Sequence, residues 1–172
     1  MPFKAVYSPV VELLLKKRCE VWMKPKYTKK KPKRPKTAYE KQKENTWKAC
    51  SRYNRRKNAD KEGMVRCVSC SAKKHWKEQQ CGHFLDGRGN AILFEDSGLH
   101  AQCLRCNFFG GGTTINVKEN YREHMIETYG QEEIDRLIQL KNSARKFTIE
   151  ELAEMEDNYN DLLVGLDMMG IG

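Results

Sequence analysis

The chain has no apolar run approaching the ~20 residues that span a bilayer, which argues against a membrane-spanning helix. Near the N-terminus Val10–Val11 and Leu13–Leu15 cluster, but Glu12 breaks them. Lys16, Lys17 and Arg18 then follow, the wrong charge order for a signal peptide. An even cysteine count is also missing. Seven thiols cannot all pair, so a complete disulfide framework would leave one over. Hydrophobic residues are only 39% of the 172, so the core is modest and needs a staple. Acidic side chains are scarce in the first hundred residues, 10 against 25 basic ones, whereas residues 101–172 carry 13 acidic and 7 basic. There is no internal repeat. These absences leave a protein of about one domain in a reducing compartment, the expected place being the cytoplasm.

The overall charge of +9 is therefore concentrated in the N-terminal half, as expected of a surface that meets a polyanion. Residues 8–23 are compatible with a short helix. From Lys24 to Lys36 there are eight Lys or Arg, three Pro and no acid, a composition that reads as an extended tether. Lys29, Lys30, Lys31, Lys33 and Arg34 are its candidate DNA contacts, the alternative being a solvated linker. Thr37 can cap a helix from Ala38 to about Asn58. Lys48, Arg52, Arg55, Arg56 and Lys57 crowd its last turns, where cations either suit the helix dipole or face phosphates.

Short strands are expected at Cys81–Phe84 and Ile92–Phe94, joined by a turn through Gly87, Gly89 and Asn90. A loop through Asp96, Ser97 and Gly98 follows. Helices are expected over Val117–Tyr129, stopped by Gly130, and over Gln131–Lys141. Thr148-Ile149-Glu150-Glu151 reads as a capping box opening the last helix. Its apolar stripe through Ile149, Leu152, Tyr159 and Leu166 suits packing, or alternatively a short coiled coil.

The chemistry lies between these helices. Cys67 and Cys70 are separated by 32 residues from Cys103 and Cys106. Two C-x2-C turns supply four thiolates, a closed tetrahedral shell for structural Zn2+. His83 falls on a strand within the zinc loop, and Asn107 directly follows the last cysteine. Clamping both cysteine pairs on one ion would bring a proton-accepting imidazole near an oxygen ligand for a divalent ion.

The run Cys67-x2-Cys70, Cys81-Gly82-His83-Phe84 and Gly98-Leu99-His100-Ala101-Gln102-Cys103-x2-Cys106-Asn107 resembles the NinG (Rap) recombination proteins of lambdoid phages. Tyr121-Arg122, Ile126, Tyr129-Gly130-Gln131-Glu132 and Phe147-Thr148-Ile149-Glu150-Glu151 continue the pattern, so the likeness runs from about Pro35 to Leu166. It implies a structure-specific endonuclease acting on branched intermediates such as Holliday junctions, inside the host cytoplasm. It also implies an α+β fold: a small zinc-stabilised ββα-metal (HNH, His-Me finger) core flanked by helices, with a basic N-terminal extension. The corresponding segments are 1–36 (N-terminal region and tether), 37–66 (basic helix), 67–130 (nuclease core) and 131–172 (C-terminal helices). By the resemblance, His83 is the general base and Asn107 a ligand of catalytic Mg2+ or Mn2+, with Arg88 and Arg105 assisting by charge. Two positions depart from the pattern. Gly82 stands where many HNH enzymes have Asp, and Gly98 where the family usually has Asn. The remaining catalytic-metal ligand is therefore open between Asp86 and His100. His75 and His124 have no matched role and are expected at the surface. The implied partner is branched DNA, and a homodimer is one arrangement that would set two sites on opposing strands. The alternatives are a non-catalytic zinc module that binds branched or single-stranded DNA, and a general HNH nicking enzyme.

Overall fold

The computed structural model describes residues 34–87, 89–110 and 116–171. The chain divides into two units, Met1–Pro35 and Lys36–Gly172. The expected helix at residues 8–23, the tether residues Lys29, Lys30, Lys31 and Lys33, and Arg88 all lie outside the described residues.

Helix α1 (Ala38–Arg56) starts where its sequence provides a reciprocal cap. The Glu40 N–H donates to Thr37 Oγ1 at 3.2 Å, and the Thr37 N–H donates to the Glu40 carboxylate at 2.9 Å. Thr46, Ala49, Cys50 and Asn54 are buried along one side, at the three- and four-residue spacing of a helix face. That side packs on α5 (Ile149–Met168), which buries Leu152, Tyr159, Leu163 and Leu166. Thr46 Oγ1 donates to the Leu152 carbonyl at 2.8 Å, so even the polar member of the stripe is satisfied inside. The α5 cap is a second reciprocal box, made by Thr148 and Glu151.

Two antiparallel strand pairs lie between these helices. Strand β1 (Met64–Arg66) pairs with β2 (Lys73–His75) around the first cysteine pair, and β3 (Gln80–His83) pairs with β4 (Leu99–Gln102). The expected strand at Ile92–Phe94 is corrected. Asn90–Leu93 is a one-turn helix, α2, that buries Ala91, Ile92 and Leu93. The true partner of β3 is β4, and all four residues of β4 are buried. β4 reads Leu-His-Ala-Gln, an alternation too short to stand out as a strand, and its polar members are hydrogen-bonded inside, His100 to Tyr121 and Gln102 to Ser69.

Helix α3 (Leu104–Phe109) follows β4 directly and stops at Gly110, whose φ of +60° is a left-handed end cap. Helix α4 (Val117–Lys141) is two helical segments joined at Gly130, where φ is +80° and ψ is +170°. A side chain would strain that backbone. The bend brings Tyr121 and Met125 together with Ile134 and Leu137 in one buried cluster, against Phe84 and Leu85. The described unit is thus an α+β fold. No helix among the described residues is long and apolar enough to cross a membrane.

Candidate functional site

The four cysteines of the two C-x2-C motifs meet. Their Sγ atoms all lie within 4.8 Å of one another, and those of Cys70 and Cys103 are 3.8 Å apart. A tetrahedron with Zn–S bonds of ~2.3 Å has edges of about 3.8 Å, so the donor set fits zinc in both chemistry and size. Cys67, Cys103 and Cys106 are buried and Cys70 half-buried. The Cys103 N–H donates to Cys67 Sγ at 3.3 Å, and the Val68 N–H donates to the Ala101 carbonyl at 3.0 Å. The first knuckle is therefore stitched to β4. Cys50 and Cys81 sit in the apolar core instead. Burial pushes the Cys81 thiol up to about 12 and Cys50 higher still, which makes them packing residues and not nucleophiles.

His83 ends β3 and lines a cavity of about 530 Å3 together with Asp86, Asn107, Phe108, Asn116 and Lys118. Its ring stacks on Trp47 of α1, centroids 5.1 Å apart and planes 15° from parallel. Trp47 thus fixes the imidazole plane, a contact hidden in the sequence because 36 positions separate the two residues. Asn107 is exposed on α3, whose first turn holds Cys106. Asp86 is exposed, and its Oδ2 accepts from Lys118 Nζ at 2.7 Å. That hydrogen bond and the ammonium charge hold the Asp86 carboxyl below its ordinary range. Carboxylate and amide oxygens are the donors that Mg2+ and Mn2+ take, so the cavity's lining fits such an ion in type. Lys118 was not anticipated from the sequence, because its role depends on the turn that carries Asp86.

His100 is placed elsewhere. Gly82 pairs with His100 and His83 with Leu99, so the two imidazoles leave opposite faces of the strand pair. Both His100 nitrogens are engaged, Nδ1 with Tyr121 Oη at 3.1 Å and Nε2 with Tyr129 Oη at 3.2 Å. Because the Tyr121 hydroxyl donates to the Gly82 carbonyl at 3.1 Å, it accepts from the Nδ1–H of a neutral ring. Nε2 then holds the lone pair and accepts from the Tyr129 hydroxyl, so both nitrogens are occupied within the fold, and His100 is not among the residues that line the His83 cavity. Burial pushes the His100 pKa down to about 3. An unfolded chain takes up this proton near pH 6.5 and the fold does not. The stability from the neutral ring is therefore complete above 6.5 and erodes as the pH falls towards 3. An NMR titration is expected to find His100 uncharged at pH 5, and a ring that protonates near 6.5 would contradict the network. His124, expected at the surface, is half-buried. Its ring stands edge-on to His100, centroids 4.8 Å apart, with a buried Nε2.

Gly82 has a packing reason. A Cβ there would clash with the Gln102 side chain, with its Oε1 closest and its Cβ and Cδ both at 3.0 Å. The Gln102 amide reaches across to donate to Ser69 Oγ at 2.7 Å, tying β4 to the first knuckle. Gly98 is different, since a side chain there would touch only Leu137 at ordinary van der Waals distance.

The cations of α1 separate into two groups. Lys48 and Arg52 are exposed. Arg55 donates to the Ser51 and Gln79 carbonyls, buried Arg56 to the Ile171 carbonyl and the Asp167 carboxylate, and Lys57 to Asn54 and the Asp96 carbonyl. Those three bond within the fold, Arg56 buried and Arg55 and Lys57 half-buried, whereas Lys48 and Arg52 face solvent. Arg34 and Arg105 are exposed.

No curated protein and no solved structure matches the chain significantly. A family model described as "Bacteriophage Lambda NinG protein" matches residues 13–168. The match begins well before Pro35, where the motif likeness was expected to start, and so takes in part of the basic N-terminal region. It also spans the four-cysteine site, the His83 cavity and all five helices described above. The chain belongs to the bacteriophage lambda NinG family.

Proposed function

We propose that this protein is a divalent-metal-dependent endonuclease that cuts branched DNA during phage recombination. One observation carries the reading: His83 and Asn107, assigned as base and metal ligand by resemblance, line one cavity beside the four-cysteine site. A strand pair followed directly by a short helix supports an HNH-like core. Asn107 and Asp86 would hold Mg2+ or Mn2+, which when bound supplies charge stabilisation of the phosphate and its leaving oxygen. His83 accepts the proton of the attacking water, its ring plane kept by Trp47. Lys118 orients the Asp86 carboxylate, while Arg105, Lys48, Arg52 and Arg34 remain candidates for phosphate contact. Phosphate contacts position the arms without reading sequence, so preference for a branch comes from shape.

The test is cleavage of a labelled four-way junction beside a linear duplex of the same arm sequence, with and without added Mg2+ or Mn2+. Metal-dependent cutting that favours the junction is expected. Equal cutting of both would make the protein a general nicking enzyme. Tight junction binding with no cutting would favour the non-catalytic module, a reading to which the packing of Gln102 on Gly82 lends one point, since it leaves no acid beside the base.

A further inference from the structure

Helix α3 carries Asn107 into the cavity and also exposes three large apolar side chains. Phe108 is 75% exposed, Phe109 66% and Leu104 52%. Phe108 and Phe109 contact each other edge to face, centroids 5.0 Å apart, and Phe108 lines the same cavity as His83 and Asn107. Clusters of exposed apolar side chains are a common feature of binding surfaces. Its mounting is rigid, because Cys103 and Cys106 flank the helix start within the four-sulfur cluster and the left-handed Gly110 ends it.

We infer that Phe108 and Phe109 form a stacking platform for unpaired or unstacked DNA bases beside the scissile phosphate. The inference rests on the nuclease reading for its placement and supplies that reading with a source of branch preference. The surroundings favour a polyanion that also has flat apolar faces. Arg105 is exposed on the same helix, while the exposed Lys118 across the cavity is paired with Asp86 and adds no net charge. An intact duplex arm buries its base faces in the stack, whereas a branch point or single strand presents them. Stacking is indifferent to sequence because every base has a π-face. The two rings therefore discriminate structure without discriminating sequence.

The test uses the full-length zinc-loaded protein without added Mg2+, and reads the anisotropy of labelled four-way junction, linear duplex and single strand. The double variant F108A/F109A should lose roughly tenfold in affinity for junction and single strand, with duplex affinity and zinc content unchanged. F108W, which keeps an aromatic ring, should bind the junction as tightly as wild type. Unchanged junction binding by the double variant would overturn the platform, as would an equal loss on junction and duplex. Sedimentation without DNA adds a further arm: a wild-type dimer that the double variant dissociates would assign the patch to a second copy of the chain and overturn the inference. The two readings fail separately. A wild type that binds junctions through these rings but cuts nothing keeps the platform and loses the nuclease. A double variant that binds and cuts like wild type loses the platform alone.

Discussion

His83→Ala is expected to reduce metal-dependent cleavage of branched DNA by at least ~10^2-fold, the usual contribution of a positioned general base. Junction affinity and zinc content should stay at wild-type values. The substitution also removes the stack on Trp47, an aromatic contact worth roughly 0.5–1.5 kcal/mol, so some loss of stability would follow even from an idle histidine. His83→Phe separates the two effects, since it keeps a flat ring against Trp47 and cannot accept a proton. Cleavage should be as low in the Phe variant as in the Ala variant, with thermal stability close to wild type. Cutting that survives in the Phe variant would remove His83 from the chemistry. Loss of junction binding in both variants would instead make it a DNA contact.

Removal of the ion from the four-cysteine site should have the largest effect on the protein itself. Structural zinc contributes on the order of 10–16 kcal/mol in small modules, as much as the whole net stability of a typical domain. The clusters around Trp76 and Tyr121 are small and separate, and the cysteines lie close in sequence to members of both, Cys67 to Val65 and Val68 and Cys103 to Ala101. A Cys103→Ser/Cys106→Ser variant is therefore expected to lose cooperative thermal unfolding of the central region, and the wild type to release one zinc per chain on denaturation. Wild-type protein that melts at the same temperature with and without zinc would show the site to be dispensable for the fold.

The helices were legible because their ends are local. Thr37 and Thr148 each have a Glu three positions on, and Gly130 interrupts an otherwise helical run. The four-cysteine cluster was legible from spacing, and His83 and Asn107 line one cavity. What was not legible depends on long-range partners. Ile92–Phe94 is an apolar triplet that suits a strand or a buried turn equally, and the choice is made by β4 pairing with β3. Arg55, Arg56 and Lys57 have the same charge whether they meet phosphates or carbonyls, and only the fold brings Gln79, Ile171 and Asp96 to them. The face taken by His100 follows from strand register, which no single-chain motif displays.

The cysteine cluster has one more consequence, for the lengths that relatives of this chain can adopt. Bridging Cys67 to Cys103 closes a loop that contains His83, and closure entropy rises only with the logarithm of loop length. Doubling such a loop costs roughly 0.6 kcal/mol. Asp86, Gly87 and Gly89 are exposed within it, and neither glycine has an atom within 4 Å of its would-be Cβ. Extra residues are therefore tolerated at this turn, between two anchors that keep β3 and α3 in place. Homologues are expected to differ in length there, and a peptide inserted after Gly87 offers a place for a fluorophore on the rim of the His83 cavity.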